Sequence, residues 1–382
     1  MDQPGTRMHL ALLRAEVAAA RIEALTLAEP ETGRLWRTEA AFAEAVRSVA
    51  LEDVRLSESE IVMRLAMNRT EEIDARGAEL AGQILDVLRA PGDVLGDPVA
   101  AIRRIERAAA PIGVAPDTTE RLGDAELQAL ATGLGDWLEM PVAAGLRAAA
   151  DYARRSGRRS PAAERLVFMA VESAARAQLA GQGRAPLRDG DLLAPVAAHW
   201  VVTPSVALTR RGFRLWSPLR EAGVADLLAL AAESLAWDLG QLGRLRRDVA
   251  RIRAAGQGRH GRSRMAEMAR FVLARPIFTS ALVADELGVT RRTALNLIAE
   301  LEGQSLIRNL LPRRAARFWA TTSLADRLRV RPAPRAACPP VPSRDGDGPE
   351  AVAAENFSPE TLTELDRAVA EADRILAGLK AR

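Results

Sequence analysis

Arg292 and Asn296 stand four residues apart in the run RRTALNLIAE. On a helix that spacing puts them on one face. A guanidinium and a carboxamide are the side chains that meet purine edges with two hydrogen bonds, arginine at guanine and asparagine at adenine. Thr290, Arg291 and Thr293 crowd the start of the same run. Hydroxyls, a second guanidinium and the amides of a helix N-terminus suit phosphate there. Further along, Arg313 and Arg314 lie between two apolar stretches, SLIRNL and ARFWAT, and Arg317 stands at the start of the second. They would meet a phosphate backbone or a minor groove. The chemistry on offer is recognition of double-stranded DNA.

Other chemistry finds little support. His9, His199 and His260 are scattered, and no Cys/His spacing suggests zinc. The only lysine is Lys380, which excludes a Walker A motif. GQGRHG at 256–261 fits G-x-G-x-x-G in letters, but it follows a helical stretch where a dinucleotide site needs a strand. No nucleophile–base constellation stands out, so neither cofactor nor metal is expected. Cys338 is the sole cysteine, which rules out an internal disulfide and suits a reducing cytoplasm. No apolar run approaches the ~20 residues that span a bilayer.

The elements that must hold the arginines can be read around them. Thr279 caps a helix ending at Leu287, and Gly288 supplies the positive φ of a sharp turn. Thr290 caps the next helix, from Arg291 to about Gln304. Two helices joined this closely cross steeply, so the small Ala284 and Ala294 fit where they touch. If Ala294, Leu297, Ile298 and Leu301 face inward, then Arg292, Asn296, Ala299 and Gly303 face outward. SRMAEMARFVLARP supplies a third helix, and SLIRNL and ARFWAT the two strands of a wing. Residues 264–320 resemble the winged helix-turn-helix domains of transcription regulators.

Charge points to the same segment. Residues 244–330 hold 18 arginines against 7 acidic residues, a balance of +11, which leaves −8 for the rest of a +3 chain. A basic segment coinciding with such a pattern is the footprint of a phosphate-contacting surface.

The remainder reads as helices. Apolar residues make up 48% and aromatics only 4%, with alanine abundant, which favours helices packed through small side chains. Helical stretches are expected at 8–28, 37–69, 71–89, from Pro98, after Asp124, at 141–154, 161–180 and about 224–254. PGDVLGDP at 91–98 is a break, and HWVVTP is either a short strand or a helix edge. The fold class is mainly α. A multi-helix region (8–254) precedes a basic linker (255–263) and the winged helix-turn-helix (264–330). A disordered linker rich in proline and glycine (331–357) then leads to a C-terminal helix (358–382). In that helix Leu362, Leu365, Val369, Ala372, Leu376 and Leu379 form a heptad seam, which suits docking or self-association.

A second resemblance concerns the N-terminal region. AFAEAVRSVALEDVRLSESEIV is similar to the early helix of Fic-type proteins, whose active members transfer AMP to hydroxyls. Their inhibitory helix reads S/T-x-x-x-E-G/N. Ser48 and Glu52 match, and Asp53 departs from the last position. Against the family's HPFxxGNGRxxR, the segment RAQLAGQGRAPLR keeps Gly181, Gly183 and Arg184. Gln182 replaces the asparagine, Arg176 stands where the histidine would be, and Arg188 comes one position late. Arginine stays protonated and is no general base, so the resemblance implies lost transfer chemistry. The layout as a whole resembles a family of plasmid-associated proteins, with a Fic-like helical region before a C-terminal helix-turn-helix.

The expectation is a DNA-binding transcription regulator, dimeric through its C-terminal helix or its N-terminal region. The alternatives are a plasmid-maintenance or scaffold protein and a residual Fic-like nucleotidyl-transferase.

Overall fold

The computed structural model describes residues 4–52, 54–61, 75–110, 122–181, 196–204, 217–257, 263–310 and 317–328. The chain divides into two compact units, Met1–Val330 and Arg331–Arg382. The linker at 331–357 and the heptad helix at 358–382 lie outside the described residues.

Eight α-helices, a short 3-10 helix (Gly135–Glu139) and a helical turn at 58–61 precede the winged part among the described residues. The α-helices are α1 (Pro4–Ala28), α2 (Pro30–Ala50), α3 (Ala75–Arg89), α4 (Pro98–Ala109), α5 (Asp124–Thr132), α6 (Pro141–Arg155), α7 (Pro161–Leu179) and α8 (Glu221–Ala255). Proline opens α2, α4, α6 and α7. At a first position its missing N–H costs nothing, and its fixed φ already suits a helix. Asp97 caps α4 by accepting from the Ala100 amide at 3.1 Å. Ser160 caps α7 by accepting from the Ala163 amide at 3.1 Å.

α7 is the centre of this region. From Leu166 to Val171 every side chain is buried, and a helix apolar all round belongs inside. α6 lies against it, with its Ala144, Ala148 and Ala149 buried. A Cβ at Gly145 would come 2.8 Å from the Phe168 carbonyl, so only glycine lets the backbones approach this closely. α1 runs parallel to α8, as Arg7–Asp226 at one end (2.7 Å) and Arg246–Glu29 at the other (2.6 Å) show.

The stretch containing HWVVTP is neither strand nor helix. Residues 198–202 pass through the interior, with Trp200 fully buried. Buried backbone groups must still be paired, and here helix side chains and loop ends do it. The His199 amide donates to Ser173 Oγ (2.8 Å), and the Val201 and Val202 amides donate to the Glu172 carboxylate (3.3 and 3.1 Å). The Ala197 and Ala198 amides donate to the Arg89 carbonyl. Arg37 Nε donates to the Trp200 carbonyl at 3.0 Å, and the indole N–H of Trp200 donates to the Leu88 carbonyl at 2.7 Å.

The winged part consists of α9 (Met265–Ala274), β1 (Ile277–Thr279), α10 (Ser280–Leu287), α11 (Arg291–Gly303), β2 (Ile307–Asn309), β3 (Phe318–Thr321) and α12 (Thr322–Leu328). The three helices and two wing strands are where the periodicity puts them. β1 is an addition. It pairs antiparallel with β3, Phe278 opposite Trp319, making a three-stranded sheet in the order β1-β3-β2. With only three residues, one of them (Thr279) also the cap of the next helix, β1 has no alternation to read.

The winged part packs directly on the helical region. α9 meets α8 and α2, burying Met265, Met268 and Val272. Arg327 pairs with Glu58 at 2.6 Å. The segment expected as a linker therefore joins elements of one compact unit. Of it, residues 258–262 lie outside the described residues.

Candidate nucleic-acid interface

α10 ends as its sequence requires. Gly288 adopts φ +61°, and the Val289 amide reaches back to the Ala284 carbonyl at 3.0 Å. That bond closes the helix and turns the chain at once. Thr279 Oγ1 accepts from the Leu282 amide and Thr290 Oγ1 from the Thr293 amide, each at 3.2 Å. Both threonines are thus the caps their position implies.

Within α11 the two faces separate cleanly. Ala294, Leu297, Ile298 and Leu301 are buried. Arg292, Asn296, Ala299 and Gly303 are exposed, as is Arg291. The exposed side carries two small residues beyond its polar ones, which lets the helix approach a groove floor closely. Neither Arg291 nor Arg292 is held in an ion pair among the described residues. At the helix start, the cap consumes the Thr293 amide, and the Thr290 and Thr293 hydroxyls lie 2.9 Å apart. The amides of Arg291 and Arg292 have no acceptor inside the helix.

Leu295 belongs to this face and the periodicity argument passed it over. It is 37% exposed, one turn after Arg291 and on the flank of Asn296. An apolar side chain there suits a thymine methyl. The missed signal was position alone, since a leucine in an amphipathic helix is read as core by default.

The basic segment is less uniformly available than its net charge implies. Arg275 pairs with Glu286 (3.1 Å), Arg308 with Asp326 (2.5 Å) and Arg264 with Glu267 (2.6 Å). Arg246 and Arg253 reach Glu29 and Glu31 in the helical region. Arg246 and Arg253 thus link α8 to the start of α2, and Arg308 links β2 to α12. Arg291, Arg292 and the exposed Arg317, at the foot of β3, remain turned to solvent. Arg313 and Arg314 lie outside the described residues.

Of the residues of the Fic resemblance, the described Ser48, Glu52 and Gly181 fall in two places, Ser48 and Glu52 near the start of α7 and Gly181 past its end. Ser48 is buried and its hydroxyl donates to Glu44 at 3.3 Å. The Glu52 carboxylate accepts from Ser160 Oγ (3.0 Å) and the Ala162 amide (3.2 Å) at the start of α7. An acid there answers the free amides of a helix N-terminus. Gly181 closes the other end of that helix with φ +60°, about 28 Å away for a helix of this length. Gly183 and Arg184 lie outside the described residues. Arg176 is buried between Glu172 (2.9 Å) and Glu23 (2.6 Å).

Among the described residues no group of histidines, cysteines and acids is placed to hold a metal ion. No described helix is long and apolar enough to cross a membrane.

The family described as "HTH DNA binding domain" matches residues 265–320, from the start of α9 to β3. The chain carries a helix-turn-helix DNA-binding domain. No curated protein matches the chain.

Proposed function

We propose that the protein is a sequence-specific DNA-binding transcription regulator in which α11 lies in the major groove. The observation that carries this is the exposed row Arg292, Asn296, Ala299 and Gly303, opposite the buried row that fixes the helix. Arg292 reads guanine and Asn296 adenine. Thr290, Arg291 and Thr293 hold phosphate at the helix start, and Arg317 with the wing holds it on the other flank. Arg313 and Arg314 extend that flank in sequence. Reading bases from a helix needs rigid placement, which the two threonine caps and the Gly288 turn favour.

The same reading gives the helical region no nucleotidyl transfer. Arg176 stands where the Fic family has its histidine and is committed to two carboxylates. A guanidinium so held accepts no proton. Incubating the full chain with labelled ATP should leave it unlabelled.

The deciding experiment is retention of fragmented DNA from the source genome by the full chain at near-physiological salt, followed by sequencing. A few enriched sites are expected. Uniform, salt-sensitive retention would replace regulation with a maintenance or scaffold role. No retention at all would overturn the DNA reading.

A further inference from the structure

The second half of α8 carries arginines on two sides. Five arginines and one acid, Asp248, lie between residues 240 and 257. Helical steps of about 100° put Arg246 and Arg253 together on one side. Both meet carboxylates there, Glu29 and Glu31 at the start of α2. Arg244, Arg247 and Arg251 share another side, turned away from the buried Leu242, Leu245, Val249 and Ile252. All three are exposed. Arg251 is 3.8 Å from Asp248. Arg244 and Arg247 are in no ion pair among the described residues. The chain thus supplies carboxylates to the α8 arginines that face it and none to the two that face outward.

This outward row runs into the DNA-binding part. Arg251 Nη2 donates to the Gln304 carbonyl at 3.4 Å, and Gln304 closes the C-terminal end of α11. Its neighbour Gly303 is the last residue of the exposed row of α11. A Cβ built on Gly303 meets no atom within 4 Å, so that end is open. The end of α8 is itself held in place. A Cβ on Gly256 would come 2.9 Å from the Cα of Ala266, so α8 and α9 meet there backbone to backbone. The arginines of α8 and the reading row of α11 therefore sit on one packed framework.

We propose that Arg244 and Arg247 hold the phosphate backbone of the bound duplex beyond the C-terminal end of α11, with Arg251 joining their row to that end. This rests on the reading of α11 as the helix in the major groove. Thr290, Arg291 and Thr293 meet phosphate at the start of α11, and Arg317 beside the wing. At the other end of the helix α8 is the basic element. The groove is ~12 Å wide and α11, with 13 residues, is about 20 Å long, so a backbone strand passes the end of the helix as well as its start. Arg244 and Arg247 are one turn apart, about 4.5 Å along the axis. That suits neighbouring phosphates of one strand, which recur every ~3.4 Å of duplex axis. Contacts of this kind fix the register of α11 on the duplex without reading sequence.

The test is the salt dependence of binding by the full chain to a site enriched from its own genome. Arg244→Ala combined with Arg247→Ala should lower the slope of log affinity against log salt by about two, one for each phosphate. The preferred bases should not change. Both side chains are exposed, so the far-ultraviolet spectrum should not change either. Arg244→Lys with Arg247→Lys should keep the wild-type slope, because lysine meets phosphate as a point charge. Arg220→Ala removes a charge at the start of α8, about 36 Å from Arg244, and should leave the slope alone. A double-alanine slope equal to the wild type would overturn the proposal and leave α11 as the reader. A slope that stays low with both lysines, or that falls by one with Arg220→Ala, would overturn it too. The first would give the guanidiniums a structural role, the second would make the effect one of overall charge. A wild-type chain that binds no site would remove the reading of α11 and this contact with it.

Discussion

Arg292 and Arg291 are neighbours with different work. Arg292 lies on the row that faces base edges, so Arg292→Ala should cost about 1–3 kcal/mol and relax preference at one base position. Arg291, at the helix start, meets phosphate, which carries no sequence. Arg291→Ala should weaken all sequences alike and reduce the salt slope by about one. Binding titrations of both variants on an enriched site, across salt concentrations, would check this. Indistinguishable effects would mean that α11 does not read bases.

His199 makes a second residue-scale prediction, about pH. Burial, and then the nearby Arg37 guanidinium, push its imidazole down to about 4 from 6.5. The folded chain keeps it neutral where the unfolded chain takes up a proton. Stability is therefore lost as pH falls from about 6.5 to about 4. Glu16, Glu39 and Glu172 act in the opposite sense, because burial raises their carboxyls. The difference between the wild type and His199→Asn isolates the histidine. The melting temperature of the variant should fall less over that window, and equal falls would remove His199 as the cause.

At the scale of elements, α7 organises the helical region through charge as well as apolar packing. Burial raises the Glu172 carboxyl above its usual range in spite of Arg176. That carboxyl serves Arg176 and the amides of Val201 and Val202 together. Removing it leaves a buried guanidinium short of a partner and two buried amides without acceptors. Glu172→Ala should cost about 3–5 kcal/mol, the range for breaking a buried ion pair from one side. Urea unfolding would measure it, and a cost near that of a surface change would show that water replaces the carboxylate. The threonine caps and Gly288 illustrate the contrary case. Their bonds reach only three to five residues along the chain, so residue type and order were enough to place them.

At the scale of the molecule, the buried apolar residues run as one connected set from Ala11 in α1 to Leu328 in α12. The winged part shares this core through α9. Calorimetry should therefore show a single cooperative transition for the helical region and the winged part together. Two separate transitions would mean that the α9 contact is too weak to couple them. A DNA reader fastened in this way has its orientation set by α2 and α8, so whatever shifts those helices shifts α11.

The sequence alone determined the winged helix-turn-helix and both faces of α11, because helical periodicity, caps and a positive-φ turn are local properties of the chain. It also located most helices of the N-terminal region, whose apolar spacing and opening prolines are equally local. Three things were decided only by the tertiary structure. β1 exists because β3, some forty residues away, offers it hydrogen bonds. Residues 199–202 run through the interior because the side chains of Ser173 and Glu172 satisfy the amides of His199, Val201 and Val202 in place of a sheet. Of the many arginines in the basic segment, Arg246 and Arg253 are engaged by Glu29 and Glu31, more than two hundred residues away, whereas Arg291 and Arg292 are in no ion pair among the described residues. In each case the partner is distant in the chain, and no pattern of neighbours along the sequence carries that information.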